Sequence, residues 1–436
     1  MDCKIFKSSP RFGFFPSRIM DFPFTRIKGG VGAPLGFLTS AVSCGIKNPA
    51  AERLDLALVF SEHPCSSAGA FTTNRVKAAP VRVSQAHLRR GDLRAIIANS
   101  GNANACTGVQ GIRDANAMCD GVAKPLGLKR TEIGVCSTGV IGLPMPMMRV
   151  TPKYEALVAG LGPKNGSGVA AAIITSDTHA KEIAISFDLG EHRVRLGGCV
   201  KGAGMISPSM ATMLCFITTD ANIPSEALRK GVLECVEESF NRITIDGDMS
   251  TNDTVLVLAN GASGMPPIRR NGKRCKQMRQ ALRWIMLELA KSVVRDGERV
   301  TKFVTVRVIG ARTYLDAKKV AEAVCKSALV KSSWNGGDPN WGRIIHAVGY
   351  SGARIREELV DIHIGGKAAC LGGLQADTQV EDLRAIVAEP EFEIVIDLNQ
   401  GEADYTMYSS DLSPEYIDFN RSEYAYWKQA RQDGLV

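Results

Sequence analysis

Two periodicities share this chain. Apolar and polar residues alternate from Leu54 to Phe60, and short apolar runs occupy Ala95 to Ala98 and Ile183 to Phe187, the pattern of strands with one or both faces buried. Thr212 to Thr219 and Thr254 to Ala259 continue the strand pattern. Between them, Ile112 to Ala123, Pro152 to Leu161 and Pro224 to Phe240 space their apolar positions as helices do. Strands and helices mixed without regular βαβ alternation predict an α/β (α+β) layered fold with a largely antiparallel core. Residues 261–272 form a Gly/Pro/Arg-rich link, followed by a predicted helix (Lys276 to Arg295), strand (Phe303 to Ile309), helix (Leu315 to Ala328) and strands at Leu359 to Ile364 and Phe392 to Leu398. The expected division is a disordered extension over 1–26, a catalytic core over 27–270 and a C-terminal α/β unit over 271–436.

The stretch from Lys201 to Ala221, KGAGMISPSMATMLCFITTDA, places Thr212 where a Gly-rich loop becomes an apolar strand. A threonine hydroxyl is a poor nucleophile unless a base lies beside it, and scission of the Ala211–Thr212 bond would supply one. An α-amino group titrates near ~7.7 to 8.0, so around neutrality much of it accepts a proton. The same pattern also describes an ordinary core strand. Ser137-Thr138-Gly139, just after the apolar run Ile133 to Cys136, brings a hydroxyl and a glycine N–H together, and reads equally as a strand-end turn.

A series of motifs narrows these alternatives. GAFTTN (Gly69 to Asn74), NSGNANACTG (Asn99 to Gly108), CSTGVIG (Cys136 to Gly142), SDT (Ser176 to Thr178), KGAGMI and MATML occur in order, then FNRITIDGDMSTNDTVLVLANG (Phe240 to Gly261), DGE (Asp296 to Glu298) and GGDPNWGRI (Gly336 to Ile344). Together they resemble the ornithine acetyltransferase (glutamate N-acetyltransferase) family of arginine biosynthesis, over about Ile27 to Asn420. The resemblance implies a precursor that cuts itself at Ala211–Thr212 and a four-layer α-β-β-α core shared by both fragments, with a smaller C-terminal unit. It implies Thr212 as the nucleophile that carries acetyl from N-acetylornithine to glutamate by double displacement, and Thr138 and Gly139 as the oxyanion hole. Thr178, Lys201, Glu298 and Asn420 map onto substrate-binding positions. Two α and two β fragments are implied as the assembly, with no cofactor, no metal and a cytoplasmic location. Acetyl-CoA as a further donor is left open. A related aminopeptidase group that sends its acyl-enzyme to water, and an uncleaved binding protein, are the alternative readings.

The chain departs from the family pattern in places. Asn420-Arg421-Ser422-Glu423-Tyr424-Ala425-Tyr426 is one residue longer than usual between Asn and the aromatic and continues to Val436, so the usual terminal hydroxyl ligand has no clear counterpart. Ser209 stands where Asn is usual, and His179-Ala180 replaces a Pro-containing link before Lys181.

Composition removes other classes. The 436 residues are 45% hydrophobic, enough for a sizeable core, yet contain no uninterrupted apolar stretch of the ~18 residues a membrane span needs. The net charge of +8 is dispersed except for Arg269 to Arg274, without interleaved aromatics for stacking bases, which argues against nucleic acid. Twelve cysteines lack CxxC pairs, and a chain this long and Cys-sparse reads as carrying reduced thiols. The six histidines show no HExxH spacing. Asp246, Asp248 and Asp253 do not fit a calcium loop; that segment is expected to support Thr212, with the Asn252 amide as a helper in cleavage. Asp338 to Arg343 is expected to open a helix, with Trp341 able to pack on one side and Arg343 able to pair with a carboxylate, the turn either clamping the second unit onto the first or contacting substrate.

Overall fold

The computed structural model describes Met20 and residues 22–48, 52–163, 165–207 and 213–421. In chain order the strands are β1 (Phe24–Ile27), β2 (Phe37–Val42), β3 (Leu56–Ser61), β4 (Ser66–Phe71), β5 (Ala95–Asn102), β6 (Ile133–Val140), β7 (Lys181–Leu189), β8 (His192–Lys201), β9 (Leu214–Thr219), β10 (Thr254–Ala259), β11 (Phe303–Ala311), β12 (Asp361–Ile364), β13 (Lys367–Leu371), β14 (Leu374–Gln375), β15 (Glu391–Asp397) and β16 (Ala403–Ser410). The helices are α1 (Ala79–Arg90), α2 (Gly108–Ala123), α3 (Met147–Val150), α4 (Tyr154–Ala159), α5 (Gly166–Ala172), α6 (Ser225–Glu237), α7 (Lys273–Arg295), α8 (Tyr314–Lys326), α9 (Ala328–Asn335), α10 (Trp341–Tyr350), α11 (Val380–Ala388) and α12 (Pro414–Asn420).

Two sheets stack in the core. One is ordered β1-β7-β8-β9-β10-β4 and the other β2-β3-β5-β6. Their pairings are antiparallel except β9 with β10 and β5 with β6. Side-chain alternation explains why the central strands read as unbroken apolar runs. Leu214 and Phe216 of β9 and Leu256 and Leu258 of β10 point between the sheets, where they meet Val59, Ile96, Ala98 and Cys136. Cys215, Ile217, Val255 and Val257 point the other way, into a core closed by α6 and α7. On the far side of the smaller sheet, Ala95 and Ile97 pack with Met118, Cys119 and Val122 of α2. The layers are therefore helix, sheet, sheet, helix. The larger sheet takes β1, β4, β7 and β8 from before residue 211 and β9 and β10 from after residue 212, so both halves of the chain build it.

The C-terminal unit has its own sheet, β14-β13-β12-β15-β11-β16. Val304, Val306 and Val308 of β11 enter its core with α8, α9 and α10.

Several expectations need correction. The helix expected to open the second unit packs on the first sheet: Met278, Ile285, Leu289 and Val293 of α7 lie in the core under β7 and β8. The expected 1–26 extension is already structured at its end, since Phe24 to Arg26 pair with β7. Aromatic contacts hold it there: Phe22 lies 5.3 Å from Phe187 and Phe24 lies 4.8 Å from Trp284. Residues 1–19 lie outside the described residues. The helix expected over Leu315 to Ala328 ends at Lys326. Ser327, with ψ 111°, breaks it, and its hydroxyl accepts the Val330 N–H to start α9. The helix expected over Pro152 to Leu161 is a short 3-10 turn (Thr151–Lys153) followed by α4. Asn340 does cap α10, but Arg343 donates to the Leu329 carbonyl at 2.9 Å instead of a carboxylate, and Trp341 packs within the C-terminal unit.

Among the described residues no helix is long and apolar enough to cross a membrane. Their cysteines are free thiols and, Cys106 and Cys275 apart, buried. Burial pushes Cys65 up to about 12 and raises Cys119, Cys136, Cys199 and Cys215 as well. An exposed thiol in the unfolded chain ionises near ~8.5. Above that pH the folded state binds more protons than the unfolded one, so stability falls as pH rises. Buried Lys331, pulled down to about 8 by burial, and Lys201, also lowered by burial, act in the opposite sense below about pH 10.4, but they are two groups against several. Thermal melts under reducing conditions are expected to show Tm falling from about pH 8.5 to about 10.5; a Tm that holds or rises would contradict enclosed thiols.

Candidate active site

Strand ends converge where β9 begins. β5 and β6 run parallel with Ser100 opposite Thr138 and Gly101 opposite Gly139, and β8 ends with Lys201 opposite Leu214. Gly139 has φ +134°, and a Cβ there would overlap Gly101 C and the Asn102 amide nitrogen, so only glycine fits this close approach of two backbones. Beside it Thr138 is 4% exposed and Lys201 is 2% exposed, with the Lys201 Nζ donating to Thr138 Oγ1 at 3.3 Å. The turn is braced from behind. Ser137 Oγ donates to Asn99 Oδ1 at 2.6 Å, and Asn252 Nδ2 donates to the carbonyls of Ala103 (2.6 Å) and Ser137 (2.8 Å). The Asn252 amide hydrogens are thus spent on holding the Thr138 strand in place.

A second group lies on the loops after α5 and α7. Thr178, which is exposed, donates to Asp296 through its N–H at 3.2 Å and through its hydroxyl. Glu298 accepts from Ser176 Oγ at 2.6 Å and from Asn420 Nδ2 at 3.4 Å, while its N–H donates to the Ala203 carbonyl at 2.8 Å. Asp246, raised to about 6 by burial, accepts the N–H groups of Met205 (2.5 Å) and Ile206 (2.8 Å) and so supports the KGAGMI segment.

Buried charges join the two groups. Lys181 Nζ bonds Asp177 Oδ1 at 2.6 Å and also bonds Asp296, and the three side chains are at most 2% exposed. Asp177 Oδ1 accepts from Gly202 N at 2.7 Å and its Oδ2 from Thr175 N at 2.9 Å. Burial alone would raise the Asp177 carboxyl, but Lys201 and Lys181 beside it win and hold it well below the usual carboxylate range. Burial lowers the Lys201 pKa, and Asp177 is the strongest influence opposing that fall.

Ala211, Thr212 and Ser209 lie outside the described residues, as do residues 422–436. The residue after Thr212 is described: Met213 donates its N–H to Asp253 Oδ1 at 3.0 Å and its carbonyl accepts from Thr254 N at 3.0 Å. Asp253 is fully enclosed, and burial raises its pKa well above the ordinary value. The arrangement gathers the Thr138 hydroxyl, the buried Lys201 Nζ and Gly139 at the strand ends where β9 begins. Such a set is suited to stabilising negative charge that develops on an oxygen.

The profile of the ArgJ family matches residues 38–425. The chain belongs to the ArgJ family. It is 45% identical over 396 residues to the arginine biosynthesis bifunctional protein ArgJ of Symbiobacterium thermophilum, covering 91% of this chain and 98% of that protein. It is 44% identical over 386 residues to the protein of the same name from Geobacter sulfurreducens, with coverage of 88% and 98%. Among solved structures, ArgJ of Bacillus halodurans matches with 35% identity and a TM-score of 0.46, covering 47% of this chain and 96% of that one. Ornithine acetyltransferase of Mycobacterium tuberculosis, complexed with ornithine, matches with 40% identity and a TM-score of 0.40, covering 43% and 99%.

In this ArgJ family member the sequence-expected residues therefore fall into two clusters, Thr138 with Gly139 and Lys201, and Thr178 with Glu298 and Asn420. Asp177, Lys181 and Asp296 carry no assigned role in the sequence reading. The four-residue spacing of Asp177 and Lys181 in SDTHAK, and Asp296 heading DGE, are local signals that pointed to them.

Gly139→Ala is expected to lower stability by at least about 1–3 kcal/mol from backbone strain alone, with further loss from the clash against β5. A Cβ added at Gly168, in α5, would make an ordinary van der Waals contact, 3.6 Å from Ala41 Cβ; Gly168→Ala is expected to be neutral or stabilising by up to about 1 kcal/mol. Urea unfolding of both variants checks the contrast, and a Gly139→Ala curve matching that of Gly168→Ala would contradict the close approach.

Proposed function

We propose that this chain is a glutamate N-acetyltransferase of arginine biosynthesis, moving acetyl from N2-acetyl-L-ornithine to L-glutamate. What carries the reading is family membership along nearly the whole chain at 45% identity, and the geometry supplies matching parts. The relatives' designation as bifunctional supports a second activity, and acetylation of glutamate from acetyl-CoA is the form we give it. A cytoplasmic enzyme of two α and two β fragments, with Lys201, Thr178, Glu298 and Asn420 around the substrate, completes the reading.

The chemistry starts with scission before Thr212, giving fragments of 211 and 225 residues. The freed α-amine takes the Thr212 hydroxyl proton as that oxygen attacks the acetyl carbonyl. The oxyanion forms against the Thr138 hydroxyl and the Gly139 N–H, where preorganised donors contribute without reorganising. Collapse breaks the amide C–N bond. The protonated α-amine passes its proton to the departing ornithine nitrogen, and the acetyl remains as a threonine ester. The amine of glutamate then attacks the ester, giving a proton to the free α-amine; the oxyanion re-forms at the same donors and collapses with cleavage of the Thr212 ester C–O bond, and the α-amine returns the proton to the released Thr212 oxygen. Two half-reactions that share one site predict ping-pong kinetics.

Thr212→Ala is expected to remain a single full-length chain on a denaturing gel, with no acetylglutamate formed from N-acetylornithine and glutamate. Normal turnover in that variant would remove Thr212 from the mechanism. Acetate as the sole product of the wild type would make the enzyme a hydrolase.

A further inference from the structure

Glu298 lies in a cradle built by separate stretches of the chain. Its N–H donates to the Ala203 carbonyl at 2.8 Å, which lays it alongside the KGAGMI segment. A Cβ added at Gly204 would overlap Glu298 Cδ, Oε1 and Oε2 together, so the carboxylate lies flat on that glycine, and a side chain there would push it away. From the other side Ser176 Oγ donates to Oε1 at 2.6 Å, the length of a hydroxyl bound to a charged acceptor. The loop that carries Ser176 is anchored in turn. Asp177 Oδ2 accepts the Thr175 N–H at 2.9 Å and its Oδ1 accepts the Gly202 N–H at 2.7 Å, which pins residues 175–177 against the stretch leading into Gly204. Asn420, at the exposed end of α12, reaches Oε2 at 3.4 Å. Of these two side-chain donors the half-buried Ser176, with the shorter bond, fixes the direction of the carboxylate.

We infer that Ser176 is a positioning residue that aims the Glu298 carboxylate at a substrate side chain ending in an ammonium, and that the site's preference for such side chains depends on it. The inference rests on the acetyl-transfer reading and deepens it, because N-acetylornithine carries a free δ-ammonium. A hydroxyl and an amide are neutral, so they order the carboxylate without cancelling its charge by contact. They also leave it acceptor capacity, since a carboxylate has about four lone-pair sites and an ammonium brings three N–H donors. A glutamate side chain free to turn would have to be ordered each time an ammonium arrives, and that cost comes out of the affinity. A side chain that ends in a methyl group gains nothing from an aimed carboxylate. The effect of Ser176 is therefore confined to substrates that bring the positive charge.

The test uses the self-cleaved enzyme with glutamate as acceptor and two donors, N-acetylornithine and N-acetylnorvaline, which differ only in the δ-ammonium. Ser176→Ala is expected to lower kcat/KM for N-acetylornithine about 3- to 10-fold, the cost of ordering one long side chain, and that for N-acetylnorvaline by less than about twofold. Ser176→Thr keeps the hydroxyl and is expected to stay within about twofold of the wild type with both donors. Where transfer from N-acetylnorvaline is too slow to follow, calorimetric titration of the cleaved enzyme with ornithine and with norvaline makes the same comparison. Equal losses with both compounds would overturn the inference, because they would make Ser176 a support of the loop and nothing more. So would a Ser176→Ala enzyme that handles N-acetylornithine as the wild type does, or a Ser176→Ala chain that intact mass and thermal melts show to be uncleaved or unfolded. A wild type that moves no acetyl from N-acetylornithine would defeat the proposed function and this inference with it. Normal transfer by the wild type beside any of the other contrary results defeats the inference alone.

Discussion

Two lysines and two aspartates closed off from water at one end of a β sandwich have to neutralise one another, and the geometry of the site follows from how they do it. Lys181 bridges Asp177 and Asp296, and Asp177 also stands beside Lys201. Breaking a buried ion pair on one side typically costs about 3–5 kcal/mol, because the remaining charge is left without a partner. The four groups are therefore fixed as a set. Three of them also hold neighbouring groups: Asp177 takes the N–H groups of Thr175 and Gly202, Asp296 takes the N–H and hydroxyl of Thr178, and Lys201 Nζ donates to Thr138 Oγ1. Charge balance in a dry interior thus does the work of aligning the loops after α5 and α7 with the end of β8.

The layered core was legible in the sequence because strands buried on two faces leave continuous apolar runs. Thr254 to Ala259 reads that way since Leu256 and Leu258 serve one core while Val255 and Val257 serve another. The allegiance of α7 was not legible. Its apolar stripe announces a helix with one buried face, and nothing in that stripe says which sheet covers it. Phe22 and Phe24 look like part of an unfolded leader until Phe187 and Trp284 are placed beside them. The same limit governs the site. Thr138, Gly139, Lys201 and Glu298 stand out through motifs, but the enclosure of Lys201 behind Thr138 depends on the pairing of β8 with β9 and β5 with β6, a tertiary fact that spacing along the chain does not contain.

The C-terminal unit contributes through a clasp. Asp411 accepts from Thr301 N, Thr301 Oγ1, Lys302 N and Asn335 Nδ2, so one carboxylate ties β16 to the chain after α7 and to α9. Buried Lys331 bonds the Ser410 carbonyl just before it. Ser413 then caps α12 by accepting the Tyr416 N–H, while its own hydroxyl donates to the Arg299 carbonyl at 2.7 Å. With its start fixed at Arg299, α12 has little freedom in where it ends, and Tyr416 and Asn420 reach Asp246 and Glu298. A segment more than a hundred residues beyond Glu298 in sequence is in this way delivered to it.

The same economy applies to the start of β9. Leu214 is paired on both sides, with Lys201 of β8 and with Thr254 of β10, and one residue earlier Met213 is held by Asp253 Oδ1 and by Thr254 N. A chain end created between residues 211 and 212 would lie one residue from a strand locked into the middle of a sheet. Fixing a residue's backbone costs about 1–2 kcal/mol of conformational entropy, and here folding of the uncut chain has already met that cost. Strands from both sides of the cut interleave in one sheet, with β10 between β9 and β4, so scission leaves the ladder intact and the fragments paired. A nucleophile built at this position would inherit its alignment from the sheet.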